Sequence, residues 1–575
     1  MRELYWLTVA VLAVVLAAQP HVASAQDTTA TVAGRCNGEI VTDIEIRPER
    51  PKYGAAAGVW RFVQNVAGRH HAATHPEVIA SYLDVEVGKE CTEYRRAETE
   101  RKLRAQPFIA AASVRAQPDG AGGVRLEVNT VDEVPLILGG RFSGLSPEAI
   151  RFGDANLRGQ GVRIEVSGER GHAYREGVGL EAVAHAAFGR PLALALILER
   201  RPRGSTVALD LSYPFYTDLQ RSTWHAGYRQ DHTYIGILRP ALDELALSVR
   251  QTRWDVGGVL RGRILGQVAG IGAVLSGVRS VPADEGIVLS DSGFAADTGS
   301  TLDSRYSRFR VTRPALIAAL RLVRFDTARG FNTLTALEDL PEGLQIVGLV
   351  GRSIPSAGAN DVFVAGSIYA GRVTRRTYLG LQAEVEARND FDADRWDGVI
   401  VSGRVAWFGK RSPRRTLVLS NEFSGGYRPR LPLQLSLGSR DGGVRGYRGS
   451  YLAGARRNII RAEYRWLLGT AFDRADFGVA GFADAGSLWA GSAPYGRTKI
   501  FSGSVGVSLL AAFPSESRRL LRLDVAVPAT RTGNEGWELR FSTGNRGRRF
   551  WSEPGDVARA RAGPVPSNLF AWPAR

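Results

Sequence analysis

Residues 443–448 read Gly-Val-Arg-Gly-Tyr-Arg, within a Gly/Asp-rich loop that runs from Gly438 to Tyr447. Downstream, residues 460–466 read Ile-Arg-Ala-Glu-Tyr-Arg-Trp, in which apolar and polar side chains alternate. Successive side chains of a β-strand point to opposite faces, so this alternation predicts a strand with one apolar and one polar face. Residues 481–486 then read Gly-Phe-Ala-Asp-Ala-Gly. These three segments lie close together in the sequence: a glycine-rich loop that contains arginine, an alternating segment and a segment that contains Asp-x-Gly.

The same alternation recurs throughout the second part of the chain. Clear cases are residues 162–167, 207–213, 381–387 and 521–527. A soluble sandwich shows the same period but rarely needs so many consecutive strands in one unit. In a membrane, strands satisfy their backbone groups only by closing into a barrel, whose signal is alternation rather than bulk hydropathy. At roughly 24–26 residues per strand and loop, the fold is predicted to be an all-β transmembrane barrel of about 16 antiparallel strands.

The first 25 residues are typical of a secretory signal peptide. Arg2 precedes an apolar run from Leu4 to Ala18, and residues 23–25 read Ala-Ser-Ala, which suits cleavage. We expect a mature chain that begins near Gln26 and is exported from the cytoplasm. The later sequence has no run of ~20 apolar residues, so no transmembrane helix is predicted there.

Residues 36–133 predict a small α+β domain. A strand over residues 39–46 is followed by two helices, near residues 76–83 and 92–104, and then by a hairpin whose turn is at residues 118–123. Cys36 and Cys91 are the two cysteines of the chain. An oxidising, exported context favours a disulfide between them, whereas a metal site built on them lacks further ligands nearby.

The net charge of +16 comes mostly from arginine. A basic chain suggests nucleic acid, but an exported protein rarely meets any, so no nucleic-acid partner is predicted. Arginines near a membrane can pair with lipid phosphates. The histidines 70, 71 and 75 lack a carboxylate or cysteine at metal-site spacing, and no metal or cofactor is predicted. The sequence has no nucleophile elbow, phosphate loop or zinc-protease motif, so we predict no enzyme activity.

The loop motif and the Asp-x-Gly segment together resemble the BamA/TamA-type outer-membrane assembly and transport barrels (the bacterial surface antigen family). The β-α-α-β-β order before them looks like a single POTRA (polypeptide-transport-associated) domain. The resemblance implies a loop that folds back into the barrel lumen and meets a wall strand there. The implied site comprises the tip residues Gly443, Val444, Arg445, Gly446 and Tyr447 and the wall residues Phe482, Asp484 and Gly486. An ordinary basic surface loop is the alternative.

The C-terminal part contains a second motif of this kind. Asn534, Gly536, Leu539 and Phe541 match the polar-x-Gly-x-x-apolar-x-aromatic signal that closes many outer-membrane barrels. The barrel is therefore predicted over residues 135–551. Residues 552–575 are rich in proline, glycine and arginine and are predicted to form a flexible, disordered or loosely docked tail.

The resemblance implies an outer-membrane protein, with its POTRA domain in the periplasm, that inserts or translocates outer-membrane or secreted proteins. Client strands would add to an exposed POTRA edge and pair at a seam between the first and last barrel strands, near residues 136–142 and 537–543. Expected partners are unfolded clients, outer-membrane lipids and accessory periplasmic proteins. The alternatives are a dedicated two-partner-type secretion pore and a passive porin or lipid-related barrel.

Overall fold

The computed structural model describes residues 34–51, 72–143, 146–170, 176–239, 244–264, 266–290, 293–297, 302, 305–438, 442–448, 450–471, 474–530, 536–545 and 551–561. The predicted signal peptide and Asn534 lie outside the described residues. Of the helices in these ranges, none is long and apolar enough to cross a membrane.

The N-terminal domain is a four-stranded sheet covered by two helices. In the order in which they lie in the sheet, its strands are β2 (Glu90–Thr92), β1 (Asn37–Glu49), β4 (Val124–Asp132) and β3 (Ile109–Pro118). Strand β1 is parallel to β4, and the other pairs are antiparallel. Thr92 caps the second helix by accepting from the N–H of Arg95 (3.3 Å). A disulfide joins Cys36 to Cys91 (Cα–Cα 5.3 Å) and ties the start of the first strand to the short second strand. The two helices are α1 (Pro76–Ala80) and α2 (Glu93–Arg104).

The remainder forms a closed antiparallel barrel. The wall strands are β5 (Leu136–Ser143), β6 (Ser146–Asp154), β7 (Val162–Glu169), β8 (Gly177–Ala184), β9 (Ala193–Arg201), β10 (Gly204–Tyr213), β11 (Ser222–Ile237), β12 (Glu244–Ile264), β13 (Gln267–Pro282), β16 (Phe309–Arg329), β17 (Leu337–Arg352), β18 (Asp361–Val373), β19 (Thr377–Asp390), β20 (Arg395–Ser412), β21 (Arg415–Tyr427), β24 (Arg456–Ala471), β25 (Ala475–Trp489), β26 (Lys499–Ala512), β27 (Arg519–Pro528) and β28 (Glu538–Asn545). A hairpin, β14 (Gly286–Ser290) and β15 (Gly293–Asp297), extends one rim through β12. The last wall strand, β28, neighbours the first, β5, and closes the barrel.

The predicted all-β barrel is confirmed, but its predicted strand number is too low. The described sheet has about 20 strands rather than about 16. The difference arises mainly at the start, where six strands fit between residues 136 and 213. These strands are short and their connections tight, so an average length per strand underestimates their number.

The barrel wall is apolar outside and charged inside. Outward side chains on neighbouring strands are exposed and apolar, such as Leu138, Phe152 and Val166, which follow one another across β5, β6 and β7. Inside, Arg321 and Arg457 are among the largest fully buried side chains of the described residues. A water-soluble barrel would show the opposite arrangement, whereas a barrel surrounded by lipid requires this one.

The N-terminal domain is docked against one rim of the barrel. Arg104 forms a two-pronged ion pair with Asp339 of β17 (2.6 and 3.1 Å). Arg101 donates to the carbonyl of Tyr216 (2.7 Å), and Glu98 accepts from the hydroxyl of Thr217 (2.7 Å). These contacts join α2 to the barrel, so the N-terminal domain covers this rim.

Acid is expected to loosen this docking. Burial alone would raise the pKa of the Glu98 carboxyl, but its hydrogen bond and charge interaction with Arg101 outweigh burial and lower that pKa. Part of this lowering comes from the barrel, through the hydroxyl of Thr217 and the charge of Arg321. Ionised Glu98 therefore stabilises the docked state above its ordinary pKa of 4.5, and this gain is lost as pH falls through the lower docked-state value. The distribution of spin-label distances between α2 and β17 should be broader at about pH 3 than at about pH 7. Glu98→Gln should broaden it at both pH values; an acid response that is as large in Glu98→Gln as in the parent chain would contradict this.

Candidate functional site

The segment between β21 and β24 folds back into the lumen. Near its base, β22 (Leu435–Ser436) pairs with β23 (Ala453–Gly454). Nearer the tip, the N–H of Val444 donates to the carbonyl of Leu437 (2.9 Å). The loop is anchored by an apolar cluster of buried side chains that includes Leu437, Val444, Tyr447, Leu452, Ile459 and Leu488. We call this segment, of which residues 428–438, 442–448 and 450–455 are described, the lumen loop.

Arg445 at the tip of the lumen loop is clamped onto the wall. Its Nε and Nη2 donate to the two carboxylate oxygens of Asp484 in β25 (2.7 and 2.6 Å), and its backbone N–H donates to the same carboxylate (3.3 Å). The guanidinium carbon lies 3.4 Å from the ring centroid of Phe482. The Asp484 side chain has no exposed surface. This fork geometry is specific to arginine, because lysine offers a single point charge.

Two glycines make this close approach possible. Gly446 has φ +88°, a left-handed conformation that side chains disfavour, and it turns the chain directly after Arg445. Gly486 lies under the tip, where an added Cβ would come within 2.6 Å of a methyl carbon of Val444. Gly443 accepts from Arg461 of β24 through its carbonyl (2.9 Å). The tip residues and the wall residues that the motif singled out therefore lie together.

The tip also contacts the last strand, which the sequence did not indicate. The N–H of Gly446 donates to Glu538 at the start of β28 (2.7 Å). The hydroxyl of Tyr447 bonds to the carbonyl of Gly503 (3.1 Å) and to the side chain of Thr530 (2.7 Å) just beyond β27. The lumen loop thus touches the wall beside the junction of β28 and β5.

Further charges surround the clamp. Glu463 of β24 and Asp524 of β27 lie 3.6 and 3.7 Å from Arg445, and Arg522 bridges these two carboxylates (2.9 and 2.5 Å). Glu463 falls within the alternating segment at residues 460–466, so its inward position could have been inferred from the strand period. Arg522 and Asp524 fall within the alternating segment at residues 521–527, so their inward positions could have been inferred in the same way. Their pairing with Glu463 and Arg445 has no local sequence signal.

The C-terminal motif is only partly described. Leu539 and Phe541 lie on β28 with 55% and 59% of their surfaces exposed, so they face outward on the wall. Gly536 precedes the strand, and an added Cβ there would meet open space.

Part of the tail after β28 differs from the prediction of a flexible or loosely docked segment, whereas residues 562–575 lie outside the described residues. Residues 551–561 lie inside the barrel and include α3 (Gly555–Ala560). Asp556 forms an ion pair with Arg457 of β24 (2.6 Å), and Val557 is buried against Ile400 of β20. Composition alone suggested disorder, but the polar inner wall provides partners for the charges of this segment.

The outer edge of β3 in the N-terminal domain is not free. The N–H of Val114 donates to Glu100 (3.2 Å), its carbonyl accepts from Arg96, and the N–H of Ala116 donates to the carbonyl of Gly34 (3.2 Å). An added strand would need these same backbone groups. The outer edge of β3 is therefore occupied rather than exposed, by two side chains of α2 and by the backbone of Gly34.

The described residues contain no cluster of three or more His, Cys, Asp or Glu side chains placed to hold a metal ion. The buried His225 lies between Asp210 and Asp255 (2.6 and 2.5 Å), where both ring nitrogens are already engaged by carboxylates. Around Arg445, the described groups form ion pairs and backbone hydrogen bonds.

No protein-family model and no curated protein matches the chain. Among solved structures, it is similar to BamA from Haemophilus ducreyi lacking POTRA domains 1–3, at 10% identity and a TM-score of 0.34, covering 88% of this chain and 85% of that one. It is also similar to CdiB from Escherichia coli (10% identity, TM-score 0.38, 92% of each chain) and CdiB from Acinetobacter baumannii (10%, 0.39, 89% and 74%).

Proposed function

We propose that this protein is an outer-membrane barrel that inserts or translocates other outer-membrane or secreted proteins. The observation that carries the proposal is the clamp of the lumen loop. Arg445 holds the loop to Asp484, and the adjacent Gly446 donates to Glu538 of the last strand. A loop fixed in this way can brace the wall beside the seam between β28 and β5.

We propose that client strands insert at the seam between β28 and β5. An unpaired strand edge inside lipid is costly, because its backbone groups have no water to bond. A client strand that pairs with β5 or β28 as the seam opens avoids that cost and folds as it enters the membrane. The client's own folding then drives the process, and no nucleotide is required.

The N-terminal domain would deliver the client from the periplasm. Strand addition binds an extended chain through its backbone and so tolerates many sequences. On β3, Gly34 would have to release Ala116, and Arg96 and Glu100 would first have to release the backbone of Val114. We therefore propose that delivery begins with displacement of these two side chains.

A passive porin fits less well, because a porin keeps an aqueous channel. Here the lumen loop and residues 551–561 both occupy the interior. A dedicated secretion pore remains the second candidate function, favoured by the same interior contacts, since a pore for one partner also needs a closed resting state.

Photo-crosslinking at the seam tests the proposal. A photoreactive residue at Leu138 of β5 or Leu539 of β28 is expected to capture client chains in living cells. Leu260 of β12 is the matched control, because it is similarly exposed (66%, against 62% and 55%) and lies on a distant strand. An equal yield of client crosslinks at Leu260 and at the seam positions would argue against insertion at the seam.

A further inference from the structure

The tail inside the lumen forms a continuous set of contacts along one side of the wall. At its start, the ring of Trp551 packs against Tyr369 of β18 (ring centroids 6.1 Å apart). Gly380 of β19 leaves room for this ring, since an added Cβ would come within 2.7 Å of it. The carbonyl of Trp551 accepts from Arg404 of β20 (3.2 Å).

The middle and end of the tail are held by charge. Glu553 accepts from the hydroxyl of Ser402 (2.8 Å) and from Arg561 in two hydrogen bonds (2.7 and 2.5 Å). Arg561 also lies 3.2 Å from the buried Glu386 of β19. The tail therefore closes on itself through Glu553 and Arg561 and is fixed to the wall at both ends.

One face of α3 is apolar and fully covered. Val557 and Ala560 are each 1% exposed and pack with Ile400, Leu433 and Leu435. Leu433 and Leu435 belong to the lumen loop, and Pro554 lies beside Gly442 of the same loop. The tail thus fills the space between the wall and the lumen loop.

We propose that the inner face of β19 and β20, together with the lumen loop, is a peptide-binding groove, and that residues 551–561 are its resident occupant. In this state the tail closes the lumen and braces the lumen loop. Passage through the barrel, or movement of the lumen loop, requires the tail to leave. The groove accepts a short segment with an aromatic residue at its start, acidic residues in its middle and an arginine at its end. This inference does not rest on the proposed function, because a barrel of any function would be closed in this way.

A pair of full-length variants tests the occupant. Val557→Arg places a charge in the apolar contact with Ile400 and the lumen loop and should expel the tail. Ala558→Arg adds the same side chain at the neighbouring position, which is exposed, and should leave the tail in place. In planar bilayers, we expect a several-fold higher conductance for Val557→Arg and the parental conductance for Ala558→Arg.

Crosslinking of Ser402→Cys to Glu553→Cys reports whether the tail is seated. The yield should fall in the Val557→Arg background and persist in the Ala558→Arg background. A fall in yield without a rise in conductance would overturn the closing role. An unchanged crosslinking yield in the Val557→Arg background would show that the apolar contact of Val557 does not keep the tail in the groove, and it would overturn the proposal.

Removal of residues 551–575 gives an independent test of the groove. If this shortened chain folds, its conductance should be raised, and a synthetic peptide of residues 551–561 should restore closure where a scrambled peptide does not. Equal effects of the two peptides would overturn the peptide-binding groove. If the shortened chain does not fold, Val557→Arg and Ala558→Arg still test the proposal, because both variants retain the full chain.

Discussion

A covalent link between β5 and β28 is expected to abolish function while leaving the barrel folded. The two strands are neighbours in the closed sheet, and opening between them is the step at which client strands would pair. Cysteines placed in pairs, one in Leu136–Ser143 and one in Glu538–Asn545, allow the link to be made with a short crosslinker. Both native cysteines are already joined in a disulfide, so the introduced thiols are the reactive ones.

The control for this experiment is a link elsewhere in the wall. Leu196 of β9 and Leu209 of β10 are direct partners in the sheet, so cysteines at these positions can be joined in the same way. This second link should leave function unchanged. Cell growth or client assembly that continues with β5 fully linked to β28 would rule out lateral opening.

Arg445→Ala is expected to have the second large effect. It leaves the buried carboxylate of Asp484 without its cation, and it removes a positive charge beside the carboxylates of Glu463 and Asp524. Removing one partner of a buried ion pair typically costs about 3–5 kcal/mol. The barrel should therefore unfold at a lower temperature, as measured by the gel-mobility difference between folded and heated protein, and client assembly should fall.

Three comparisons separate the clamp from general effects of lost charge. Arg448→Ala removes an exposed arginine of the same loop that is not part of the clamp, and it should cost much less than Arg445→Ala. Arg445→Lys should rescue only in part, because lysine lacks the fork that engages both oxygens of Asp484. Arg445→Ala with Asp484→Ala should cost less than the two single changes added together, because neither charge is left unpaired. Additive losses would show that the two residues act independently.

The parts of this fold that the sequence predicts are those with a short repeat or a local motif. The alternation at residues 460–466 indicated a strand, and β24 covers it. The pairing of Arg445 with Asp484 was implied by a motif whose two halves lie on the lumen loop and on β25. Each half of that motif is local, although the two residues are 39 positions apart in the sequence.

The other contacts depend on closure of the whole barrel. Gly446 and Glu538 are separated by 92 positions, and no local pattern links them. The docking of Trp551 depends on the space above Gly380, which exists only once β18, β19 and β20 are side by side. The capped edge of β3 likewise depends on how α2 crosses the sheet.

The central claim, that this barrel handles other proteins, is tested most directly by depleting it and quantifying the proteins of purified outer membranes. We predict that other proteins are lost. A broad fall in other barrels would identify a general insertase, and loss of a single secreted or surface protein would identify a dedicated transporter. An unchanged outer membrane, in cells with confirmed depletion and no related barrel, would contradict the claim.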